Sequence, residues 1–469
     1  MPALLNRERA SMTLRQRLIL FLFRRLRPFA ERAYAWLKTT SPPDIRALPS
    51  PVNSDPELKV IDNLADLDAE IAEIDKALAV SDDEGRRRMA KIHFVLPGNF
   101  PADPYSPEYA AAQMETYYAL SGRNSYQPEV NERSVLDLEW LKRWYYPYGT
   151  RSPTTVGEQL IAQGFIIRAM NLPAGARVVE FGPGAGNLTL HLAQMGYQVT
   201  AVEIDPIWAE LIRYRAQTLG VEVTVVQQDM LAFQPGEPYD AAVFFESFHH
   251  CVDHLRMLRH LYEMIVPGGL VAFAGEPIAD FPHPWGFVRP DGQTLWSIRK
   301  FGWFELGFDT SYFLRTLLFF GWLPRRHRSD VAHLADVIVA HKGQGLYAPH
   351  ELTLPPDEAR TWSEPEAGLR FTLGRAVMSC SRVAPVKAVE FCLSNFAPFP
   401  LEVTLTAGRA SQRVRLPAHA ERVTACVEAQ DWQGQVTIAS PTWRPAQAYK
   451  SADPRTLGVA VHWVRLEGA

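Results

Sequence analysis

The sequence predicts an α/β core preceded by a helical region and followed by an all-β sandwich. Three observations carry that expectation. Val178-Val179-Glu180-Phe181 reads as a buried parallel strand and runs into the turn Gly182-Pro183-Gly184-Ala185-Gly186. Further strand-like runs follow, spaced by helical patterns as in βαβ units. Beyond Tyr347 the helical patterns stop, and short β-branched runs with turn residues between them take over.

The chain of 469 residues is long enough for roughly two or three domains. Its 47% hydrophobic and 21% charged residues are ordinary for a globular protein. A net charge of −4 makes no global case for nucleic acid. The four cysteines, Cys251, Cys380, Cys392 and Cys426, form no CxxC pair, so neither a zinc ribbon nor a disulfide scaffold is indicated. Buried reduced thiols fit a cytoplasmic protein. No apolar run reaches the roughly 18 residues that span a bilayer.

The first 56 residues read as a basic amphipathic helix and a Pro-rich linker. Leu14, Leu18, Leu22, Leu26, Phe29, Ala33 and Trp36 share one helical stripe, and the flanks are rich in arginine. Over residues 14–38 such a helix either lies on an anionic membrane surface, at the inner face of the cytoplasmic membrane, or packs on protein. Residues 57–98 read as a short coiled coil. Val60, Leu64, Leu67, Ile71, Ile74 and Leu78 step by four and three, a seam that suits homo-oligomerisation through residues 58–80 or packing on the chain's own core. A tyrosine-dense stretch from Pro101 to Thr150 and a helix from Val156 to Met170 then form a helical lid.

The core units come next. Gly182-x-Gly184-x-Gly186 turns the first strand into the helix Leu188 to Met195; glycines there let backbone approach a ligand. Gln198 to Val202 is a second strand ending in Glu203, about twenty residues after the first glycine, where an acid accepts from ribose hydroxyls. Val221 to Val226 precedes Gln228-Asp229-Met230. Tyr239 to Phe245 runs into Glu246-Ser247-Phe248-His249-His250. Val266-Pro267-Gly268-Gly269-Leu270 opens a fifth strand, and Leu334 to His341 is the closing hairpin strand.

This succession resembles the class I S-adenosylmethionine (SAM) methyltransferases over roughly residues 150 to 342. E-F-G-P-G-A-G is similar to their first motif, V-E-I-D to the second and Q-D-M to the adenine-contacting acid. Y-D-A-A-V-F-F and V-P-G-G-L are similar to their fourth and fifth strands. The resemblance implies a Rossmann-like seven-stranded methyltransferase domain over residues 99–345 with SAM as cofactor. It implies cofactor binding by Glu180, Gly182, Gly184, Gly186, Glu203, Asp229, Met230 and Phe245. Phe245-Glu246-Ser247-Phe248 replaces the N/D-P-P-Y motif of amino-directed nucleic-acid enzymes, which weighs against a nucleic-acid substrate.

Loops after strands four and five would hold the acceptor. The resemblance places His250 as the base, with His249, Glu246 and Glu276 as further catalytic candidates. Asp253 is expected to cap the helix beginning at His254. His249, His250, Asp253 and His254 lack a second ligand cluster, so no metal is expected. The insertion after Glu276 carries Phe281, Trp285, Phe287, Trp296, Phe301, Trp303, Phe304 and Phe308, rings that suit either a sugar platform or a core.

Residues 346–469 read as the β-sandwich. The segment Asp453-Pro454-Arg455-Thr456-Leu457-Gly458-Val459 resembles the D-x-R-x-L-G-V ending of β-domains on bacterial surface-polysaccharide enzymes. Trp362-Ser363 is similar to their W-S-x-G segment without its glycine. Together these features imply O-methylation of a sugar in a surface glycan (an O-antigen, for example) or its lipid-linked precursor. A small metabolite or protein side chain as acceptor, or a non-catalytic SAM-binding scaffold, are the alternatives.

Overall fold

A seven-stranded sheet organises the computed structural model, which describes residues 59–95, 100–134, 136–287, 292–383 and 385–468. The basic helix expected at 14–38 and its linker lie outside the described residues. The strands are β1 (Arg177–Phe181), β2 (Gln198–Glu203), β3 (Val223–Gln227), β4 (Tyr239–Phe245), β5 (Ile265–Ala274), β6 (Trp322–His327) and β7 (Val337–Lys342). Their order is β6-β7-β5-β4-β1-β2-β3. The first five are parallel, whereas β7 runs antiparallel to β5 and β6 antiparallel to β7. The chain moves outward from β1 through β2 to β3, then returns to the other side of β1 with β4. Between the carboxyl ends of β1 and β4 this reversal opens a crevice.

The strands are apolar on both faces because helices cover both. Val179, Phe181, Ala242, Phe244, Val271 and Phe273 join one core cluster; Val178, Ala241, Val243, Leu270 and Ala272 join another. Side-chain oxygens start the covering helices. Ser152 accepts from Thr155 N–H before Pro153–Met170, Asp205 from Ile207 N–H before Pro206–Leu219, and Asp309 from Tyr312 N–H before Thr310–Phe319. Asp253 caps His254–Met264 by accepting from Arg256 N–H at 2.9 Å, as its position implied.

The heptad-like seam resolves differently from a subunit contact. Val60 is not helical; it sits exposed in the strand Lys59–Ile61, which pairs in parallel with Ile92–Phe94. The helix Leu64–Val80 buries Leu67, Ile71 and Ile74 in the same cluster as Phe181 and Phe244. Asp68 pairs with Arg299 at 2.7 Å, and Asp75 accepts from Trp296 Nε1 at 2.8 Å, which fastens this helix to Gly292–Phe301. The seam therefore fills the chain's own core, and the coiled-coil expectation is corrected: its apolar face is already covered.

Most tyrosines of the 101–150 stretch are also core. Tyr109 OH donates to Trp285 O at 2.9 Å and Tyr117 OH to Gly302 O at 2.6 Å, stitching this stretch to the insertion after β5.

After β7 the chain builds two antiparallel sheets. One orders Leu346–Tyr347, Ala460–Glu467, Ala388–Ser394 and Val423–Glu428, with Arg370–Phe371 also on Ala460–Glu467; the other orders Arg375–Ser379, Gln435–Ala439, Leu401–Ala407 and Ala410–Leu416. Val389, Phe391 and Val464 from the first sheet and Val403, Leu405 and Ile438 from the second meet in one apolar cluster. Arg455 bridges Asp453 and Glu366, and Leu457 and Val459 are buried, so the D-x-R-x-L-G-V segment is a structural corner. Residues Glu57–Ala469 form one unit. Among the described residues no helix is long and apolar enough to cross a membrane.

Removing the buried Ile74 side chain tests the seam. Ile74→Ala should lower the unfolding free energy by about 2–5 kcal/mol in a denaturant titration, without a concentration-dependent transition. A loss that scales with protein concentration would restore the subunit reading.

Candidate active site

The three glycines after β1 adopt positive φ of 62°, 51° and 73° at Gly182, Gly184 and Gly186, a region that side chains disfavour. They serve different ends. A Cβ on Gly182 would stand 2.8 Å from the Ser247 Cβ, and one on Gly186 would stand 2.7 Å from Ile212. A Cβ on Gly184 would meet nothing within 4 Å, and Gly184 lines a cavity of about 210 Å³ at the crevice. Bare backbone is thus presented to a ligand at Gly184.

Glu203, at the end of β2, faces the same cavity. Its carboxylate accepts from the N–H of Gly184 at 3.0 Å and of Asp205 at 2.9 Å. Burial nevertheless raises its pKa to about 7. Asp229, Met230, Gln228, Ile204 and Trp208 line the neighbouring wall. Burial also pushes the Asp229 carboxyl up from its ordinary value. A ribose diol on Glu203 and a purine ring by Trp208 and Asp229 fit these donors and faces.

Three expected cofactor residues stand elsewhere. Glu180 is buried beneath the turn, where the Thr189 hydroxyl donates to it and burial raises its pKa to about 7. Gly186 is the N-cap of the helix Asn187–Gln194. Phe245 packs beside Ala162, Ala332 and Ala335 on the far face of the sheet. Alternation explains the misplacement: along β4, Phe244 and Phe245 point to opposite faces.

The loop after β4 carries the remaining candidates. Glu246 has φ of 53°, a strained value for a non-glycine residue, and its carboxylate accepts from Gln159 Nε2 at 2.6 Å. Glu276, just beyond β5, is 1% exposed and does not line the cavity. It accepts from the N–H groups of Ser247 and Phe248 at 2.9 Å, from His249 N–H at 3.1 Å, and it meets His249 Nδ1 at 2.8 Å. Burial disfavours its charge, yet His249 and these N–H donors hold its pKa below the ordinary value. Glu276 therefore shapes the loop from behind.

His249 and His250 follow, with ring centroids 4.3 Å apart and different partners. His249 Nε2 lies 3.7 Å from Glu305 Oε2. His250 lines the cavity, with Nδ1 3.3 Å from Glu132 Oε2. The other Glu132 oxygen accepts from Tyr126 OH at 2.9 Å and Phe304 N–H at 2.8 Å. Burial opposes a charge on His250, but Glu132, Glu305 and Glu276 outweigh it and hold its pKa at about 10. His254 belongs to another environment. Its Nε2 is 2.8 Å from Tyr312 OH among Trp285 and Phe308, and burial lowers its pKa to about 3.

Residues 158–298 match the family model described as a methyltransferase domain. This segment is similar to SAM-dependent methyltransferase domains. The chain's similarities to individual proteins are partial. The ubiquinone biosynthesis O-methyltransferase of Xanthomonas axonopodis pv. citri (strain 306) is 30% identical over 149 residues, 31% of this chain and 59% of that protein. The enzyme of the same name from Xylella fastidiosa (strain M23) is 28% identical over 159 residues, 33% of this chain and 62% of that one. A SAM-dependent Diels–Alderase of Talaromyces variabilis is 29% identical over 134 residues, 27% of this chain and 46% of the relative. The chain thus spans less than two thirds of these relatives' length. Among solved structures, magnesium protoporphyrin IX methyltransferase from Synechocystis with bound SAM covers 47% of this chain and 100% of its own, at 16% identity and a TM-score of 0.34.

The cavity wall formed by Gly184, Glu203 and Asp229 lies inside the matched segment. The opposite wall does not: Tyr126, Pro128, Glu132 and Ser134 precede it and Trp303 follows it. Of these five, Trp303 alone was foreseen, as one ring of the insertion's possible sugar platform. The aromatic insertion corrects the sugar-platform expectation in part, because Trp285, Phe287, Phe304 and Phe308 are core and Trp303 alone of that group reaches the cavity.

Glu203→Ala should weaken SAM binding by about 1–3 kcal/mol in calorimetry, the cost of leaving buried polar partners unmatched. Unchanged affinity in the folded variant would refute the ribose assignment. A pH series adds a second test. Ribose hydroxyls donate to the carboxylate, whereas the free protein holds Glu203 protonated below about pH 7. SAM affinity should therefore fall about tenfold from pH 8 to pH 6, and Glu203→Gln should flatten that dependence.

Proposed function

We propose that the chain is a SAM-dependent O-methyltransferase whose acceptor hydroxyl meets His250. The observation carrying this reading is that His250, backed by Glu132, shares one cavity with Glu203 and Gly184. SAM held by Glu203, Asp229, Met230 and the glycine turn would supply a methyl group on an already activated sulfonium. The chain's own residues then need chiefly to align an oxygen and accept its proton.

With Nδ1 turned to Glu132, His250 directs Nε2 to the acceptor oxygen, and only the fraction of rings that has lost its proton, a fraction that grows as pH rises toward about 10, accepts the hydroxyl proton. Glu132 stabilises the imidazolium that results, and Tyr126 OH and the Phe304 N–H fix Glu132 in turn. Glu246 is held by Gln159 and offers a carboxylate oxygen to the acceptor. Glu276 and His249 act behind this surface, as positioning groups.

A sugar hydroxyl of a bacterial surface glycan or its lipid-linked precursor is the proposed acceptor. Support comes from the D-x-R-x-L-G-V segment and the two-sheet region that contains it. A basic helix at 14–38, if it binds the inner face of the cytoplasmic membrane, would bring the enzyme to a lipid-linked substrate. A phenolic acceptor is the second reading. The names of the ubiquinone-pathway relatives and the rings of Tyr126 and Trp303 at the cavity support it.

Methyl transfer from labelled SAM to a panel of lipid-linked glycans and catechols tests both acceptors. With the accepted substrate, His250→Ala should lower turnover by roughly 10²- to 10⁴-fold while SAM affinity barely changes. Near-normal turnover would clear His250. No transfer to any hydroxyl despite tight SAM binding would favour a SAM-binding scaffold.

A further inference from the structure

We propose that His249, His250 and Glu305 form a binding site for a divalent transition-metal cation at the acceptor end of the cavity. The inference deepens the O-methyltransferase reading and rests on it for the location of the acceptor. It changes the partner of the His250 Nε2 lone pair from a proton to a cation.

Geometry is the first support. One donor atom from each of the three residues lies within 4.8 Å of the other two. In a tetrahedral zinc site, ligands about 2.0–2.2 Å from the metal stand roughly 3.3–3.5 Å apart. The 3.7 Å between His249 Nε2 and Glu305 Oε2 is already close to that value. Small side-chain rotations would bring in the third donor.

The groups behind the imidazoles are the second support. Metal-bound histidines characteristically give their other nitrogen to a carboxylate, which fixes the tautomer and ring orientation. His249 does so through Nδ1 and Glu276 at 2.8 Å, leaving the Nε2 lone pair directed at Glu305. His250 repeats the arrangement through Nδ1 and Glu132 at 3.3 Å, and that nitrogen lacks the alignment of a finished hydrogen bond. Both carboxylates are anchored independently, Glu276 by three backbone N–H groups and Glu132 by Tyr126 OH and Phe304 N–H.

Charge is the third. Glu132, Glu276 and Glu305 face two imidazoles in a largely buried space, with Glu246 beside them. Buried carboxylates need compensation, and a doubly positive ion supplies it. Two imidazole nitrogens and one carboxylate form a three-ligand set of the kind found in catalytic zinc sites. Such a set leaves a position open, and His250 places it beside the cavity that also holds Trp303. An oxygen ligand, the acceptor hydroxyl, suits that position. Asp253 and His254 take no part, since one caps a helix and the other is bonded to Tyr312.

The test uses the full chain stripped of metal by dialysis against a chelator and then titrated with Co²⁺. We expect one equivalent to give visible d–d absorption and a calorimetric isotherm competed by Zn²⁺. His249→Ala and Glu305→Gln should abolish both signals while SAM binding, measured alongside, reports an intact fold. Glu276→Gln, acting through His249, should weaken the metal by about 10- to 100-fold. Absence of stoichiometric Co²⁺ binding would overturn the proposal, as would binding indifferent to His249→Ala and Glu305→Gln. Methyl transfer by the metal-free protein together with absent Co²⁺ binding would sink the metal site and leave O-methylation standing. The expected Co²⁺ pattern without transfer to any hydroxyl would sink O-methylation and leave the metal site standing.

Discussion

The carboxylate of Glu276 is the constraint on which the acceptor end of the site depends. It sits 1% exposed beyond β5 and accepts three successive backbone N–H groups from the loop after β4, along with His249 Nδ1. An isolated buried carboxylate is costly, by several kcal/mol. Four converging donors reverse that balance, which is why its pKa falls despite burial. The same bonds dictate where the loop runs. Glu246 must take a left-handed backbone to enter it, Ser247 must approach Gly182, and the His249 and His250 rings leave it with centroids 4.3 Å apart. Replacing Glu276 would therefore disturb positions it never touches.

The cavity is assembled from two sources with different logic. One wall belongs to the methyltransferase domain and is built locally: a strand, a glycine turn, then an acid at the end of the next strand. The other wall comes from residues 126–134 and from Trp303, on either side of that domain. Long-range bonds join the two flanks, including Tyr117 OH to Gly302 O and Phe304 N–H to Glu132. Under the proposed function, this division separates cofactor binding from acceptor choice. Changes in the flanks can alter the acceptor while Glu203 and Gly184 stay as they are.

The same division decides what could be read from the sequence. β1, β2, β4 and β5 follow from apolar runs and turn residues, and Glu203 and Asp229 follow from their places at strand ends. Asp253 was legible as a cap for the same local reason. Glu132 and Glu305 were not, because 172 residues separate Glu132 from its Phe304 partner and no spacing rule spans that interval. Heptad steps at Leu67, Ile71 and Ile74 reveal an apolar helix face but not what covers it. Ring content in the insertion likewise cannot distinguish Trp303, at the cavity, from Phe304, in the core. Phe245 failed at the level of the strand's two-residue period, which sends it to the face opposite Phe244.

Amide hydrogen exchange at Ser247, Phe248 and His249 tests the role of Glu276 most directly. The comparison is between the wild-type chain and Glu276→Gln, whose amide can accept through one oxygen only. The account expects these three amides to lose protection by more than an order of magnitude in the variant, while those of β1 and β4 exchange as before. Unchanged protection at all three would contradict it, because the loop would then be held by something other than the Glu276 carboxylate.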